Sequence, residues 1–415
     1  MRITPRTIGA GLVCAILIGA SAAWAQDWPQ WMGPNRDGKV TGFTAPATWP
    51  QALAQKWSVE VGAGDSAPAL VGGKLYVFSR VGDDEVTQCL EAETGKEVWT
   101  DKNPTPAISG PAARQHGGPR STPAVAAGRV VTLGINGVVS CLNAADGKPV
   151  WRKADFEGAP QFYTASSPVI VDGLAILQLG KQDESGVIVA FTLDKGDVKW
   201  KCEGQGAAYS SPNLMTVGGV KQLVAMTSKS VIGVGLADGK LLWSIDFAPI
   251  GSMGYNAATP IVNGDTVIFS GQGRGTKAVK VEKSGDAFKA TDVWTNADLG
   301  VQFNSPVLKD GFVYGLSDKG FFFCLDAKDG KPVWTDTVAR GQGRNVGYAA
   351  MVDAGSAILA LPSTSELIAI QPDPKAYKEL AKIKVAETPT YAAPVVAGKN
   401  VYVKDATKLT LWAFE

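Results

Sequence analysis

The sequence predicts an all-β fold, an eight-bladed β-propeller of four-stranded antiparallel blades, on two periodic signals and one closure. The first signal is an eleven-residue phrase ending in tryptophan. It reads "CLEAETGKEVW" to Trp99, "CLNAADGKPVW" to Trp151 and "CLDAKDGKPVW" to Trp334, with looser copies ending at Trp200, Trp243 and Trp294. The second is a Ser/Thr/Ala-Pro pair, a glycine a few residues on, and then an alternating apolar run. Its prolines are Pro68, Pro123, Pro168, Pro212, Pro260, Pro306 and Pro394, with Ala350 standing in once. The intervals are 55, 45, 44, 48, 46, 44 and 44 residues, the period of a four-stranded blade.

The first 25 residues have the form of an export signal. Arg2 and Arg6 precede the apolar stretch Ile8–Ala20, and Ala23-Trp24-Ala25 offers a small-x-small cleavage site. Cys14 follows Val13, not the small residue that a lipoprotein signal requires, so a cleaved, unlipidated protein of the periplasm or the medium is expected. Residues 26–56 carry Trp28, Trp31 and Trp49 among prolines and glycines. They are too rich in both for a helix, and are expected to strap across one propeller face with those rings buried.

From residue 57 to 415 the chain reads as blades. Runs such as "KLYVFS" and "GFVYGLS" alternate apolar and polar, the signature of strands buried on one face. Ala-Asp-Gly and Glu-Thr-Gly supply the positive φ of a tight hairpin between the third and fourth strands. "PDPKAYKELAKI" has the best helical pattern in the chain, but it aligns with the outer strand of repeat seven and is read as a strand. The last repeat ends after three strands. "KWSVEV" at Trp57 has the register of the missing fourth, which would close the ring and protect its edges.

The tryptophans at the phrase end (Trp57, Trp99, Trp151, Trp200, Trp243, Trp294 and Trp334) are expected to dock between neighbouring blades in a structural role. Cys89, Cys141 and Cys324 share one repeat position, too far apart to bridge, and are read as small buried thiols. Cys202 has no evident mate. Without the leader, 38 basic face 39 acidic residues, which gives no electrostatic reason to expect nucleic acid or an anionic membrane. No other run reaches membrane-spanning length. A single histidine rules out a multi-histidine metal site. A closed ring has no structural need of a second subunit, so a monomer is expected.

The connections from each outer strand to the next inner strand should ring the axial funnel. Counting back from the anchor prolines gives Asp65, then His116 and Arg120, then Tyr163, Tyr209, Tyr255 with Asn256, and Phe303 with Asn304. Arg344, Asn345 and Tyr348 follow, and then Tyr391. Aromatic, amide and charged groups converging on one concavity suit a small polar ligand or a peptide. No aspartate or nucleophile is tied to His116 by sequence. "GQGRGTK" around Arg274 mimics a phosphate loop but lacks the strand-loop-helix context, and is read as a hairpin turn.

The A…D…G-K-x-x-W phrase resembles the tryptophan-docking repeat of the quinoprotein (PQQ-like) propellers. It is also similar to repeats in the propeller subunit of the outer-membrane barrel assembly machinery (BamB), over residues 57 to the end. "DWPQWMGPNRDG" and "GGPRSTPAV" look like exported PQQ-like propeller proteins. The resemblance implies one of two functions. The assembly-machinery branch implies a non-catalytic scaffold binding a protein or peptide of the cell envelope, with no cofactor, and this is the expected reading. The quinoprotein branch implies a PQQ- and calcium-dependent oxidoreductase of an alcohol or sugar, the alternative. This chain lacks that branch's adjacent-cysteine pair and its long cofactor-roofing insertions, and no catalytic aspartate or calcium ligand set can be matched. It also lacks the lipid-acceptor cysteine of the assembly-machinery subunit. A lyase or hydrolase reading rests only on His116 and the tyrosines.

Overall fold

The computed structural model describes residues 26–415 apart from 107, 157, 252–253, 342 and 344–345. The expected leader lies outside these residues. Eight four-stranded antiparallel sheets form the ring. Strands Ala69–Val71, Ala124–Ala126, Val169–Val171, Asn213–Val217, Ile261–Asn263, Val307–Lys309, Ala349–Asp353 and Val395–Ala397 open blades 1 to 8 nearest the axis. In each blade, strand order follows the chain outwards. Blade 8 is the exception: its outer strand is Ala54–Glu60, paired with Lys408–Ala413 so that Trp57 faces Leu411. The two ends of the chain therefore share a sheet, and neither leaves an inner edge open.

The core lies between blades. Residues that alternate inward from facing sheets, such as Val131, Leu133 and Val139 against Leu177, Val189 and Phe191, form one apolar layer per interface. The tryptophan phrase builds the outer part of each layer. The indole N–H of Trp99 donates to Ala144 O of the next blade at 3.0 Å, Trp151 to Leu193 O at 3.1 Å and Trp294 to Ala327 O at 2.9 Å. Each ring lies over the turn glycine of that next blade. Gly147 sits at φ +72°, and a Cβ there would come within 2.4 Å of Trp99. Blade 5 breaks the pattern because its third and fourth strands, Gly275–Ser284 and Ala287–Asn296, run on into a longer hairpin. Trp243, which faces it, donates instead to Gln222 within its own blade.

The shared cysteine position follows from the same packing. Cys89, Cys141 and Cys324 pair across the strands with Trp99, Trp151 and Trp334, and Gly233 pairs with Trp243. A Cβ on Gly233 would meet the Trp243 ring nitrogen at 2.0 Å, so the site admits only small residues. All four described cysteines are buried and unbridged. A bulge beside each cysteine pair, and beside Ala278–Trp294 in blade 5, turns Val98, Val150, Val333 and Val293 out to solvent.

Where serine precedes the anchor proline, its hydroxyl links neighbouring blades around the axis. Thr122 N–H donates to Ser167 Oγ, Ser167 N–H to Ser211 Oγ and Thr259 N–H to Ser305 Oγ, at 3.0, 2.9 and 2.9 Å. A short helix, Pro111–Gln115, fills the longest interval, between blades 1 and 2. Of "PDPKAYKELAKI" only the part from Glu379 on is in a strand, Glu379–Lys384, which ends one residue past it.

Candidate functional site

The eight blade-to-blade connections meet at one end of the channel around a cavity of about 780 Å³. Seven of them contribute one ring each to its wall: His116, Phe162, Tyr209, Tyr255, Phe303, Tyr348 and Tyr391. The eighth, entering blade 1, contributes Asp65. Many of the rings touch one another. Tyr255 stacks on Phe303 at 5.4 Å, Phe303 on Tyr348 at 3.8 Å and 9°, and Tyr348 on His116 at 5.8 Å. Phe162, Tyr209 and Tyr255 continue the arc through edge and tilted contacts. Phe303 and Tyr348 are each stacked on two neighbouring rings.

His116 Nδ1 lies 2.6 Å from Asp65 Oδ2, joining the connections into blades 1 and 2, with Tyr391 packed edge-on at 4.6 Å. Arg120 reinforces the pair from behind. Its guanidinium donates to His116 O at 3.2 Å and to Phe162 O, and burial lowers its pKa. Burial also holds the phenols protonated: Tyr209 is pushed up to about 12, and Tyr255 and Tyr348 are raised as well. Gln302 donates to the Tyr255 hydroxyl at 2.9 Å, which leaves that hydroxyl's proton available. Behind Asp65, the buried Lys404 ammonium donates to Gly64 O at 2.5 Å, and desolvation pulls it down to about 8.

The other candidates point elsewhere. Tyr163 turns out of the cavity, where its hydroxyl donates to Ser109 O and accepts from Ser109 N–H. Asn256 and Asn304 are buried in blade bodies. Asn256 donates to Thr227 O and Phe247 O and accepts from Arg274, while Asn304 donates to Leu316 O and Gly347 O. Arg344 and Asn345 lie outside the described residues. Sequence counting missed Phe162, one residue from Tyr163, and Gln302, one from Phe303. It also missed Gln272 and Asp318, which reach the cavity from hairpin turns, and Trp31.

Trp31 comes from the N-terminal segment, which crosses the channel and forms the cavity floor. Trp28 pairs its backbone with Leu70 in blade 1, and Pro29 O accepts from Val125 in blade 2. Arg36, 1% exposed, donates to Pro168 O and Pro212 O in blades 3 and 4. The Trp31 indole donates to Thr259 Oγ1 in blade 5 at 2.8 Å, at the point where the chain of hydroxyls would otherwise continue. Met32 packs on Val307 and Met351 in blades 6 and 7, and Phe43 and Trp49 pack on Phe414 beside blade 8. The segment thus touches all eight blades and makes the funnel blind.

A family model described as outer membrane protein assembly factor BamB matches residues 82–336. The chain belongs to that family. BamB of Yersinia pestis is 24% identical over 320 residues, covering 74% of this chain and 67% of that protein. BamB of Burkholderia pseudomallei (strain K96243) is 24% identical over 361 residues, 85% of each. Among solved structures, a europium-containing methanol dehydrogenase superposes with a TM-score of 0.73 at 13% identity, covering 94% of this chain and 98% of that one, a likeness of fold. Among the described residues no helix is long and apolar enough to cross a membrane.

The donor set can be compared with the calcium–quinone pair of the resembling enzymes. Calcium takes six to eight oxygens, usually with several carboxylates. Among the described residues no three His, Cys, Asp or Glu side chains converge. The two carboxylates on the wall are engaged, Asp65 with His116 and Asp318 with Gly273 N–H. The described residues do not fit that pair.

Proposed function

We propose that this BamB-family chain is an exported binding propeller of the cell envelope, whose blind funnel holds a small polar ligand or an inserted side chain of a partner. The observation that carries the reading is the ring of seven aromatic side chains with Asp65, Arg120 and three glutamines around one cavity. Its volume of about 780 Å³ suits a small molecule or one peptide side chain. The curated relatives are assembly factors, which supports a scaffold role. Quinone-dependent oxidation of an alcohol or sugar is the competing reading, supported by the repeat and by the fold of the dehydrogenase neighbour.

One titration separates the two. Pyrroloquinoline quinone is added to the purified protein with and without Ca²⁺, and tryptophan fluorescence and melting temperature are followed. The scaffold reading expects no Ca²⁺-dependent change. A saturable, Ca²⁺-dependent rise in melting temperature would replace it with the oxidoreductase reading.

A further inference from the structure

The repeat needs about 45 residues, yet the interval from Pro68 to Pro123 holds 55. The extra length forms Pro111–Gln115 and brings the sole histidine of the chain back to the funnel. Blade packing does not require it there. Most of the ring is buried between Tyr348 and Tyr391, with Asp65 on Nδ1. A carboxylate at Nδ1 fixes the proton on that nitrogen and leaves the Nε2 lone pair as an acceptor. No described side chain bonds Nε2.

The rest of the wall supplies the complementary half. Burial raises the pKa of the Tyr348 and Tyr255 phenols, and among the described residues no side chain is bonded to the Tyr348 hydroxyl. A held base sharing a largely aromatic cavity with protonated phenols can form an enolate and stabilise its oxygen. That chemistry needs no metal, thiol or oxidant, which suits a wall whose described residues hold no ligand cluster and a chain whose described thiols are all buried between blades.

We propose that the funnel is a proton-transfer site for small carbonyl compounds bearing a C–H next to the carbonyl, with His116 Nε2 as base and the Tyr348 and Tyr255 hydroxyls as donors to the enolate oxygen. The proposal rests on the funnel being the ligand site. The C–H bond breaks and its electron pair becomes the C=C of the enolate, while the carbonyl π pair moves onto oxygen. The proton goes to Nε2, giving an imidazolium paired with Asp65. Its return to the same carbon exchanges hydrogen with solvent; where that carbon bears a hydroxyl, as in dihydroxyacetone, its return to the former carbonyl carbon, with the hydroxyl proton passing to the enolate oxygen, isomerises the compound. Asp65 and Arg120 are positioning residues, acting through the imidazole and its backbone carbonyl.

The test uses the whole protein without a histidine tag, with dihydroxyacetone and pyruvate as probes. Solvent deuterium exchange at the carbon beside the carbonyl is followed by proton NMR. Exchange above the buffer rate is expected, falling by about 10²–10⁴ in His116→Gln and by about 10² in Tyr348→Phe. Asp65→Asn should slow exchange and displace its pH profile while probe binding persists. If His116→Gln does not fold, the wild type carbethoxylated at its one histidine with diethyl pyrocarbonate replaces it, and should lose exchange equally. Exchange at the buffer rate for both probes, or unchanged without a working His116, overturns the proposal. If a probe protects His116 from carbethoxylation yet does not exchange, the base chemistry fails while the funnel survives as a binding site.

Discussion

Gly147→Ala tests whether the turn glycine and the indole of the preceding blade act as one unit. Gly147 has φ +72°, and a methyl there would lie 2.4 Å from Trp99 Cε3 and 2.7 Å from Cδ2. Gly128, in the inner hairpin of the same blade, has φ +70° and no atom within 4 Å of a new Cβ. Both substitutions incur the left-handed penalty of about 1–2 kcal/mol. Only Gly147→Ala must also displace Trp99, which is 9% exposed and donates to Ala144 O. Overpacking of this kind costs about 1–3 kcal/mol. The expected losses are therefore about 1–2 kcal/mol for Gly128→Ala and about 2–5 kcal/mol for Gly147→Ala. Urea unfolding followed by far-UV circular dichroism gives the midpoints, compared at equal slope. In a Trp99→Leu background the excess at Gly147 should vanish, because the coupled partner is gone. Equal losses for the two alanines, or an excess that persists without Trp99, would refute the packing account.

Two further outcomes follow from buried cations. Lys404 is held down to about 8, against about 10.4 in an unfolded chain. The folded state binds that proton more weakly, so this group adds stability as pH rises through 8, until the unfolded lysine also deprotonates. Between pH 7 and 9.5 the stability of wild type relative to Lys404→Met should rise by about 2 kcal/mol; a flat difference in urea titrations at the two pH values would contradict it. Arg36→Ala should cost about 2–4 kcal/mol by the same assay, through two lost charge-assisted bonds to Pro168 O and Pro212 O. A loss below about 1 kcal/mol would show that the N-terminal segment is not needed to hold the ring.

Periodicity made the fold legible, because whatever repeats eight times must serve what every blade shares. Cys141 pairs with Trp151 across the strands and Gly147 receives Trp99 of the preceding blade, so the spacing of the three survives as a phrase. The register of Trp57 foretold the mixed last blade because strand pairing fixes offsets within a blade. The funnel was legible only in outline. Counting back from a proline gives depth in the channel but not direction, and neighbouring side chains point opposite ways. Hence Phe162 lines the cavity where Tyr163 was expected, while Asn256 and Asn304 turn into the blades. Trp31 could not be found by counting at all. It meets Thr259 across 228 positions, and nothing in its own segment repeats.

The same division explains why membership of the BamB family leaves the chemistry of this chain open. Blade packing fixes the tryptophan phrase and the anchor prolines, and it leaves the connections free, since their backbones need only bridge two neighbouring sheets. A residue type that occurs once, at a connection made longer than the period requires, is not explained by the ring. His116 is such a residue, and its partner Asp65 sits on the neighbouring connection, 51 positions away. Trp31 is another non-repeating residue, held by a hydroxyl that elsewhere would link two blades. Both face the same cavity, one at the wall and one at the floor. Stability alone would be served by leaving that end of the channel wet and simple.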